Sequence, residues 1–546
     1  MTMRRRSGTR LGAAAAALLA VAGGAARPAP LAAQAPDGTS DLPRTRAERS
    51  GFTETSRYED VVAFLEALRA GRPDLDVRTF GYSERGRSLP LVVFGAGRGV
   101  PFGALREDPR LRVLVLANIH AGEVAGKEAA LALARDLATG RRDGWLDSLL
   151  VLVAPIYNAD GNEEISLRNR PGQYGPVTGM GERETALGLD LNRDNMKLDG
   201  AEARALAALL VEADPHVLID LHTTDGTVHA YYLTYAPPLH PSTDPGIVGE
   251  LRERWLPEVT ETVRRRYGWE MFHYGNVPGT WGMRGEQGWY TFDHRPRFTT
   301  NYVGIRNRFG ILSEAYAYAS FEDRVRAHER FVEAVLDYAA AHAGRLRVLA
   351  ARADAAVGPG DTIALRAEIA RGDTITVLLG EAREVPNPYT GEPMRVRLES
   401  VRAERMPDYT SFRPVESTSL PAAWLIAPGG EEPAGRLRAH GIRFRTLATG
   451  ARVEVERFVV DSARTAEREY QSRRPRVLFG RWTRETVGLP AGTLVVPSSQ
   501  PLGVLAGLLL EPRSDDGLAA WGILAEEEDG TFPVLRADAV PGEPAP

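Results

Sequence analysis

The feature that most constrains the fold is an alternation of apolar runs with amphipathic stretches between about residues 58 and 346. Residues 113–117 and 149–156 are apolar throughout or nearly so, which is typical of strands buried on both faces of a sheet. Residues 58–70 and 125–137 instead carry apolar side chains at helical spacing. Strands that alternate with helices in this way predict an α/β domain.

The pattern changes after residue 348. A turn rich in Gly and Pro at residues 357–361 precedes alternating polar and apolar segments such as 362–369 and 453–460. We therefore predict an α/β domain over residues 45–345 and a β-rich accessory domain over residues 355–546. For the accessory domain, two roles stay open, a scaffold or chaperone-like role and a wall-binding or glycan-binding module.

Composition excludes several classes of function. The net charge is −5, and the longest basic run beyond the N-terminal segment covers only residues 264–266, which gives no case for nucleic acid as a partner. The chain has no cysteine, so disulfides, thiolate catalysis and metal sites built on cysteine are excluded. A metal site in this chain must therefore use His, Asp and Glu side chains.

The N-terminal segment has the order of features that a signal peptide has. Arginines at positions 4–6 precede an apolar stretch at 11–22, and the small residues around Ala33-Gln34-Ala35 offer a cleavage site. The apolar stretch is too short to span a membrane, and we find no later segment of spanning length. The sequence thus predicts a signal peptide over residues 1–35 and a protein that is secreted or periplasmic.

Three groups of ionisable residues follow apolar, strand-like runs. His120 and Glu123 follow the first run, His222 ends a second, and Glu314 follows a third. The carboxyl ends of strands in an open α/β sheet collect ligands and reactive groups, so these side chains are expected to meet. A catalytic zinc needs three protein ligands and a nearby base, which three ligands and one spare carboxylate supply. Taken singly, each residue is as readily a structural His or a salt-bridged Glu.

An irregular segment at residues 188–194 adds a second kind of signal. Its adjacent Asn192 and Arg193 offer an amide and a planar guanidinium, which together are suited to binding a carboxylate. Without the metal residues, an ion pair within a loop is the more ordinary interpretation.

Taken together, the motifs resemble those of the zinc metallocarboxypeptidase family of the carboxypeptidase A type. They occur in the family's order, which is His120-x-x-Glu123, Asn158-x-Asp160-Gly161, Gly188-x-Asp190-x-Asn192-Arg193, Asp220-x-His222 and a strand-borne Glu314. The segment from Gly81 to Arg87 also resembles the family's Gly-x-Ser-x-x-Gly-Arg. The resemblance covers about residues 58–340, and the C-terminal part matches no family.

The resemblance implies a mixed, mostly parallel central sheet flanked by helices, and one zinc ion in the catalytic domain. His120, Glu123 and His222 resemble the zinc ligands, and Glu314 resembles the general base that acts on a zinc-bound water. Asp190 resembles the acid that orients the first zinc His.

The resemblance also implies the residues that contact the substrate. Asn192 and Arg193 resemble the pair that binds the C-terminal carboxylate of a peptide. Arg170 is our candidate for the arginine that polarises the carbonyl, with Arg168 as the alternative. Tyr302 is our candidate for the mobile tyrosine of the family, with Tyr290 as the alternative.

These roles predict hydrolysis of C-terminal residues from peptides or proteins. The alternatives are a related zinc amidase or deacylase, a cell-wall peptide hydrolase, and a non-catalytic binding protein on the same scaffold. Arg306 and Arg308 fall where the family builds its specificity pocket, which would favour acidic terminal residues.

Overall fold

The computed structural model describes residues 42–542. The predicted signal peptide, residues 1–35, lies outside the described part of the chain. Within residues 42–542, no helix is both long enough and apolar enough to cross a membrane.

Strands and helices are numbered along the chain. The strands are β1 Asp76–Tyr82, β2 Ser88–Phe94, β3 Leu111–Ala117, β4 Leu149–Ala154, β5 Val217–Thr224, β6 Leu233–Ala236, β7 Met271–His273, β8 Trp289–Tyr290, β9 Phe309–Tyr316, β10 Thr362–Ala370, β11 Thr374–Leu379, β12 Ala382–Pro386, β13 Pro393–Arg397, β14 Arg402–Tyr409, β15 Ser411–Ser419, β16 Ala423–Ile426, β17 Arg445–Thr446, β18 Ala451–Thr465, β19 Arg476–Leu489, β20 Leu494–Pro497 and β21 Thr531–Ala537. The helices are α1 Arg46–Arg49, α2 Tyr58–Gly71, α3 Phe102–Leu105, α4 Ala125–Ala138, α5 Ala159–Glu163, α6 Ala201–Glu212, α7 Pro245–Gly249, α8 Leu256–Tyr267, α9 Thr299–Ile305, α10 Phe321–Ala356, α11 Glu431–His440 and α12 Gly503–Leu510.

An eight-stranded sheet with the order β1-β2-β4-β3-β5-β9-β6-β7 forms the centre of the N-terminal part. Its four middle strands, β4, β3, β5 and β9, are parallel, as are β6 and β7. Antiparallel pairs join β1 to β2, β2 to β4 and β9 to β6. The sheet is therefore mixed and mostly parallel, as predicted. Every residue of β3 and β4 is buried, because helices cover both faces of the sheet.

The helices that flank the sheet hold the ends of the middle strands in place. Helix α4 begins directly after the first ligand motif and packs against β5, where a side chain at Gly126 would meet the Leu221 side chain at 2.6 Å. Only glycine allows so close an approach of helix and strand. Helix α10 follows β9 and packs against both α4 and α8; the Ser320 hydroxyl caps its first turn by accepting a hydrogen bond from the Asp323 amide.

The C-terminal part is rich in β-structure, as predicted. Its largest sheet has the strand order β17-β20-β16-β21-β18-β19, and shorter strand pairs lie outside it. It is joined closely to the N-terminal part, because β14 pairs with β8 and one apolar core runs through both. From Pro43 onward, the described residues group as one compact unit. The division near residue 350 stays a prediction.

Candidate active site and metal centre

Three side chains meet at the carboxyl ends of β3 and β5. The candidate ligand atoms of His120, Glu123 and His222 all lie within 4.8 Å of one another. Nδ1 of His120 is 2.9 Å from Oε1 of Glu123, and Nδ1 of His222 is 2.9 Å from Oε2 of the same carboxylate. All three side chains are buried. Two imidazole nitrogens and a carboxylate make a donor set that suits zinc, so the residues present fit the ion.

The chain positions these ligands by its local geometry. After β3 ends, Asn118 adopts a left-handed conformation, with φ of +65°, and the chain turns so that the Glu123 amide donates to the His120 carbonyl at 2.9 Å. His222 lies within β5, one residue before Thr223. The Thr223 amide donates to Oε2 of Glu123 at 2.9 Å, so the carboxylate that faces both imidazoles is itself held by the strand.

Each histidine has a carboxylate behind it. Nε2 of His120 is hydrogen-bonded to Oδ1 of Asp190 at 3.0 Å, and Nε2 of His222 lies 3.0 Å from Oδ2 of Asp220. Both Nδ1 atoms are thereby turned toward the ligand cluster, in the manner of acids that orient metal-binding imidazoles. The sequence analysis assigned this role to Asp190 only. Period-two alternation along β5 was the signal for Asp220, because it places that acid on the same side of the strand as His222.

The charges within the cluster shift its pKa values. Burial raises the pKa of the Glu123 carboxyl, but His120, Arg170 and His222 outweigh it and hold the pKa well below its ordinary value. Burial also opposes protonation of His222, yet Asp220 and Glu123 raise its pKa well above the usual range. The cluster therefore holds tightly packed opposite charges that a dication would reorganise on binding.

Glu314 lies beside the cluster on the neighbouring strand. It pairs directly with His222 in the register of β5 and β9, and its half-buried side chain lines the same cavity. Its Oε2 atom is buried and has no hydrogen-bond partner among the residues that the structure describes. Burial raises the pKa of Glu314 to about 8, with Glu123 and Asp220 adding to the rise and His222 and Arg170 opposing it. A carboxyl with these properties can carry a proton near neutral pH.

A cavity of about 480 Å³ opens over the cluster and Glu314. Cationic side chains line one part of it, namely Arg170, Arg183 and Arg193, and apolar side chains line another, namely Phe292, Phe298 and Leu312. Such a combination accepts a ligand that has both an anionic group and an apolar group.

Two of the arginines contact the ligand residues. Nη2 of Arg170 donates to Oε1 of Glu123 at 2.6 Å, whereas Arg168 is exposed and does not line the cavity. Arg183 forms two hydrogen bonds with Oδ2 of Asp190, from Nε at 3.0 Å and from Nη2 at 2.8 Å. Arg183 could not be predicted from the sequence, since nothing local distinguishes it from the many other arginines of the chain.

Asn192 and Arg193 form one wall of the cavity. Asp190 caps their short turn, because its Oδ1 accepts from the Asn192 amide at 2.8 Å. Oδ1 of Asn192 accepts from the Thr299 amide at 2.8 Å. The Arg193 guanidinium lies 3.8 Å from the ring centre of Phe298, and one of its nitrogens donates to the Asn192 carbonyl. The remaining donors of Arg193 can bind an anion in the cavity.

The structure does not bring Tyr302 to the site. Tyr302 is buried on α9, where its hydroxyl lies 2.7 Å from Nδ1 of His440 and accepts from Arg306 at 3.2 Å. Its prediction as a substrate-contacting residue is therefore wrong, because α9 turns this side chain into the core against α11. Tyr290 also lies outside the cavity lining and stacks on Tyr409 with ring centres 4.3 Å apart.

The tyrosines that do line the cavity are Tyr274 and Tyr470. Burial and the nearby Glu314 raise the pKa of Tyr274, which keeps its hydroxyl protonated. Tyr470 comes from the C-terminal part, beyond the segment that the family resemblance covers, so the motifs gave no signal for it.

Arg306 and Arg308 are also absent from the cavity lining. Arg308 is buried in ion pairs with Asp214 and Asp354, both at 2.9 Å. Arg306 donates to the His440 carbonyl at 2.8 Å. Both guanidinium groups bind partners inside the fold and do not line the cavity, so they do not support the expected preference for acidic terminal residues.

Comparison with known proteins finds similarity to carboxypeptidases. Residues 61–199 match the family model described as zinc carboxypeptidase. Carboxypeptidase 2 of Trichophyton tonsurans is 23% identical over 525 residues, which cover 92% of this chain and 91% of that protein. Carboxypeptidase D of Homo sapiens is 32% identical over 157 residues, covering 24% of this chain and 11% of that protein.

Solved structures of carboxypeptidases are similar to this chain over about half of its length. A metallo-carboxypeptidase from Burkholderia cenocepacia is 17% identical, with a TM-score of 0.38 over 52% of this chain and 70% of that one. Carboxypeptidase A from Helicoverpa armigera is 15% identical, with a TM-score of 0.39 over 55% of this chain and 77% of that one.

Proposed function

We propose that this peptide hydrolase, a member of the zinc carboxypeptidase family, removes C-terminal residues from peptides and proteins at the site around His120, Glu123 and His222. The observation that carries the proposal is that one cavity is lined by His120 and Glu123 of this cluster, by Glu314, whose buried Oε2 has no hydrogen-bond partner in the described part of the chain, and by Asn192 and Arg193. Hydrolytic groups and a group that binds a chain end then lie within reach of one substrate.

A single zinc ion held by His120, Glu123 and His222 would supply a positive charge that polarises the scissile carbonyl and makes a water molecule more acidic. Asp190 and Asp220 hold the two imidazoles so that their Nδ1 atoms face the Glu123 carboxylate, where these residues would hold the ion. The chain supplies the remaining chemistry through its own side chains.

Glu314 is the proposed general base and then the general acid. Its carboxylate takes a proton from the attacking water and passes that proton to the amine nitrogen as the peptide bond breaks. Because burial raises the pKa of Glu314 to about 8, its carboxyl can retain the proton between the two transfers. Arg170 reaches the ligand cluster from the cavity wall and is the proposed partner for the carbonyl oxygen as it becomes negative.

Asn192 and Arg193 make the proposed reaction an exopeptidase one. The guanidinium of Arg193 binds the terminal carboxylate, and only a free chain end carries that group. A substrate bound at an internal peptide bond has no terminal carboxylate to pair with Arg193, so internal bonds should be hydrolysed poorly.

The test compares an N-blocked dipeptide with its C-terminal amide. We expect the free acid to be hydrolysed at least ~100-fold faster than the amide, and Arg193→Ala to lose a similar factor in kcat/KM on the free acid. Arg168→Ala is the matched control, because Arg168 is exposed and outside the cavity lining. Equal hydrolysis of acid and amide would contradict the proposal. Activity on N-acyl amino acids alone would instead support a deacylase. Activity confined to peptides of the cell wall would support a cell-wall peptide hydrolase.

We also infer export of the protein, from the basic, apolar and small residues within positions 4–35. N-terminal sequencing of protein recovered outside the cytoplasm should show that this segment has been removed; recovery of the protein only inside the cytoplasm, with Met1 intact, would contradict the inference.

A further inference from the structure

A long hairpin of the C-terminal part reaches the active-site cavity. Strands β18 and β19 pair along their whole length, and residues 466–475 connect them. At the tip, the amide of Tyr470 donates to the carbonyl of Arg473 at 2.7 Å, and the reverse bond measures 3.2 Å. This closes a two-residue turn at Gln471 and Ser472.

The turn has an unusual sequence for its shape. Gln471 and Ser472 have φ angles of +55° and +59°, a combination that turns of this type reach most easily with Asn-Gly. Residues with side chains are disfavoured in this conformation, so their presence calls for a compensating contact.

That contact is made with the catalytic segment. Oε1 of Gln471 accepts a hydrogen bond from the Asp190 amide at 2.8 Å, and Asp190 is the buried acid that orients His120. Arg473 forms a bidentate ion pair with Asp199, at 2.6 and 2.8 Å. The loop is thus fixed on both sides of its tip to the segment that contains Asn192 and Arg193.

The same turn places Tyr470 in the cavity lining with Arg193 and Phe298. The Tyr470 ring stacks on Trp521, with centres 6.1 Å apart and planes 14° from parallel, and the Arg297 guanidinium lies 5.6 Å from its ring centre. Tyr470 is still 38% exposed, and its hydroxyl makes no hydrogen bond with the residues that the structure describes. An aromatic ring that is held by neighbouring side chains, lines the cavity and stays partly exposed is suited to contacting a ligand.

We propose that the loop of residues 466–475 completes the active site and that Tyr470 positions the C-terminal residue of the substrate. The inference rests on the proposed carboxypeptidase function. Phe298 contacts the Arg193 guanidinium at 3.8 Å and Tyr470 lines the same cavity, so a side chain next to a terminal carboxylate bound by Arg193 can meet aromatic surface. Asp293, one of the acids in the same lining, is paired with Arg295 at 2.6 Å. The substrate class that fits is a peptide with an aromatic or large apolar C-terminal residue.

The experiment measures kcat and KM of the zinc-loaded, full-length enzyme on N-blocked dipeptides that end in Phe, Leu, Gly or Arg. We expect Tyr470→Ala to raise KM for the Phe substrate about tenfold and to change the Gly substrate about twofold or less, because the glycine substrate has no side chain to contact the ring. Tyr470→Phe should keep the preference for Phe over Gly if the ring makes the contact.

Tyr389→Ala is the matched control, since Tyr389 is 65% exposed in the C-terminal part and outside the cavity lining. Zinc content and the thermal unfolding midpoint check each variant for folding. A second variant, Gln471→Gly, relieves the backbone strain of the turn but removes the hydrogen bond to the Asp190 amide. It should lower kcat/KM while leaving the fold intact.

The inference fails if the wild type cleaves these peptides and Tyr470→Ala keeps the same ratio of Phe to Gly cleavage. If the wild type cleaves none of these peptides, the result contradicts the proposed function, and with it the inference that rests on that function. If Tyr470→Ala does not fold, an unchanged kcat/KM and Phe-to-Gly ratio in Gln471→Gly would overturn the inference.

Discussion

At the scale of single residues, the candidate metal ligands depend on acids outside their own cluster. Asp190 and Asp220 each lie 3.0 Å from the Nε2 atom of a histidine whose Nδ1 faces Glu123. Oδ2 of Asp190 also accepts from Arg183, whereas neither carboxylate oxygen of Asp220 has a well-formed hydrogen bond within the described part of the chain. On its Nε2 side, the His222 ring is therefore held by one ionic contact, that with Asp220.

This arrangement predicts the effect of removing the Asp220 charge. Asp220→Asn should weaken zinc binding by about 10- to 100-fold, because the amide no longer fixes the His222 ring or increases its basicity. Competition with a zinc chelator measures the dissociation constant. Asp225→Asn is the control, since Asp225 lines the cavity but contacts neither histidine. Zinc affinity equal to that of the wild type would show that Asp220 does not support the ligand.

At the scale of elements, the apolar runs predicted the strands that carry the site. The runs at 113–117 and 149–156 correspond to β3 and β4, and His222 and Glu314 lie on β5 and β9 as expected. The direct pairing of His222 with Glu314 was beyond prediction, since the register of parallel strands depends on long-range packing. Tyr302 was misplaced for the same reason, because nothing local in α9 reveals that α11 covers it.

Contact between α9 and α11 predicts a pH-dependent stability. His440 accepts a hydrogen bond from the Tyr302 hydroxyl and donates to the Met196 carbonyl at 3.1 Å, so it is neutral in the fold. Burial, aided by Arg306 and Arg436, lowers the pKa of His440 to about 3. As the pH falls below about 6.5, the unfolded chain binds a proton at this position and the folded chain does not.

The free energy of unfolding of the wild type should therefore fall relative to that of His440→Gln, by about 2 kcal/mol between pH 7.5 and pH 5. Urea denaturation of both proteins at the two pH values measures this difference. The same substitution at His342 on α10 controls for the change in residue type. If the difference in unfolding free energy between wild type and His440→Gln is the same at both pH values, His440 binds a proton in the folded state as readily as in the unfolded chain.

At the scale of the whole molecule, the C-terminal part is bound to the N-terminal part by specific contacts. Arg436 on α11 donates to the Leu198 carbonyl at 2.8 Å, and Gln471 binds the Asp190 amide across 281 positions of sequence. Contacts so distant in sequence leave no local pattern, which is why the sequence analysis treated this part as a separate accessory domain and missed Tyr470. The meeting of His120, Glu123 and His222 was predictable because each follows or ends an apolar run.

Truncation after Ala356 tests how far the two parts depend on each other. We expect the fragment to be insoluble or unfolded, because removing the C-terminal part exposes one side of a shared apolar core and leaves Tyr302 without His440. Circular dichroism and sedimentation of the fragment measure the outcome. A soluble, zinc-binding fragment would support the two independent domains that the sequence predicts.

The most direct test of the account is the mass spectrum of a peptide digested over time by the zinc-loaded enzyme. We expect a ladder in which residues are lost one at a time from the C-terminus, and loss of at least about 1,000-fold of this activity in Glu314→Gln with its zinc content unchanged. Internal fragments, removal of residues from the N-terminus, or full activity in Glu314→Gln would contradict it.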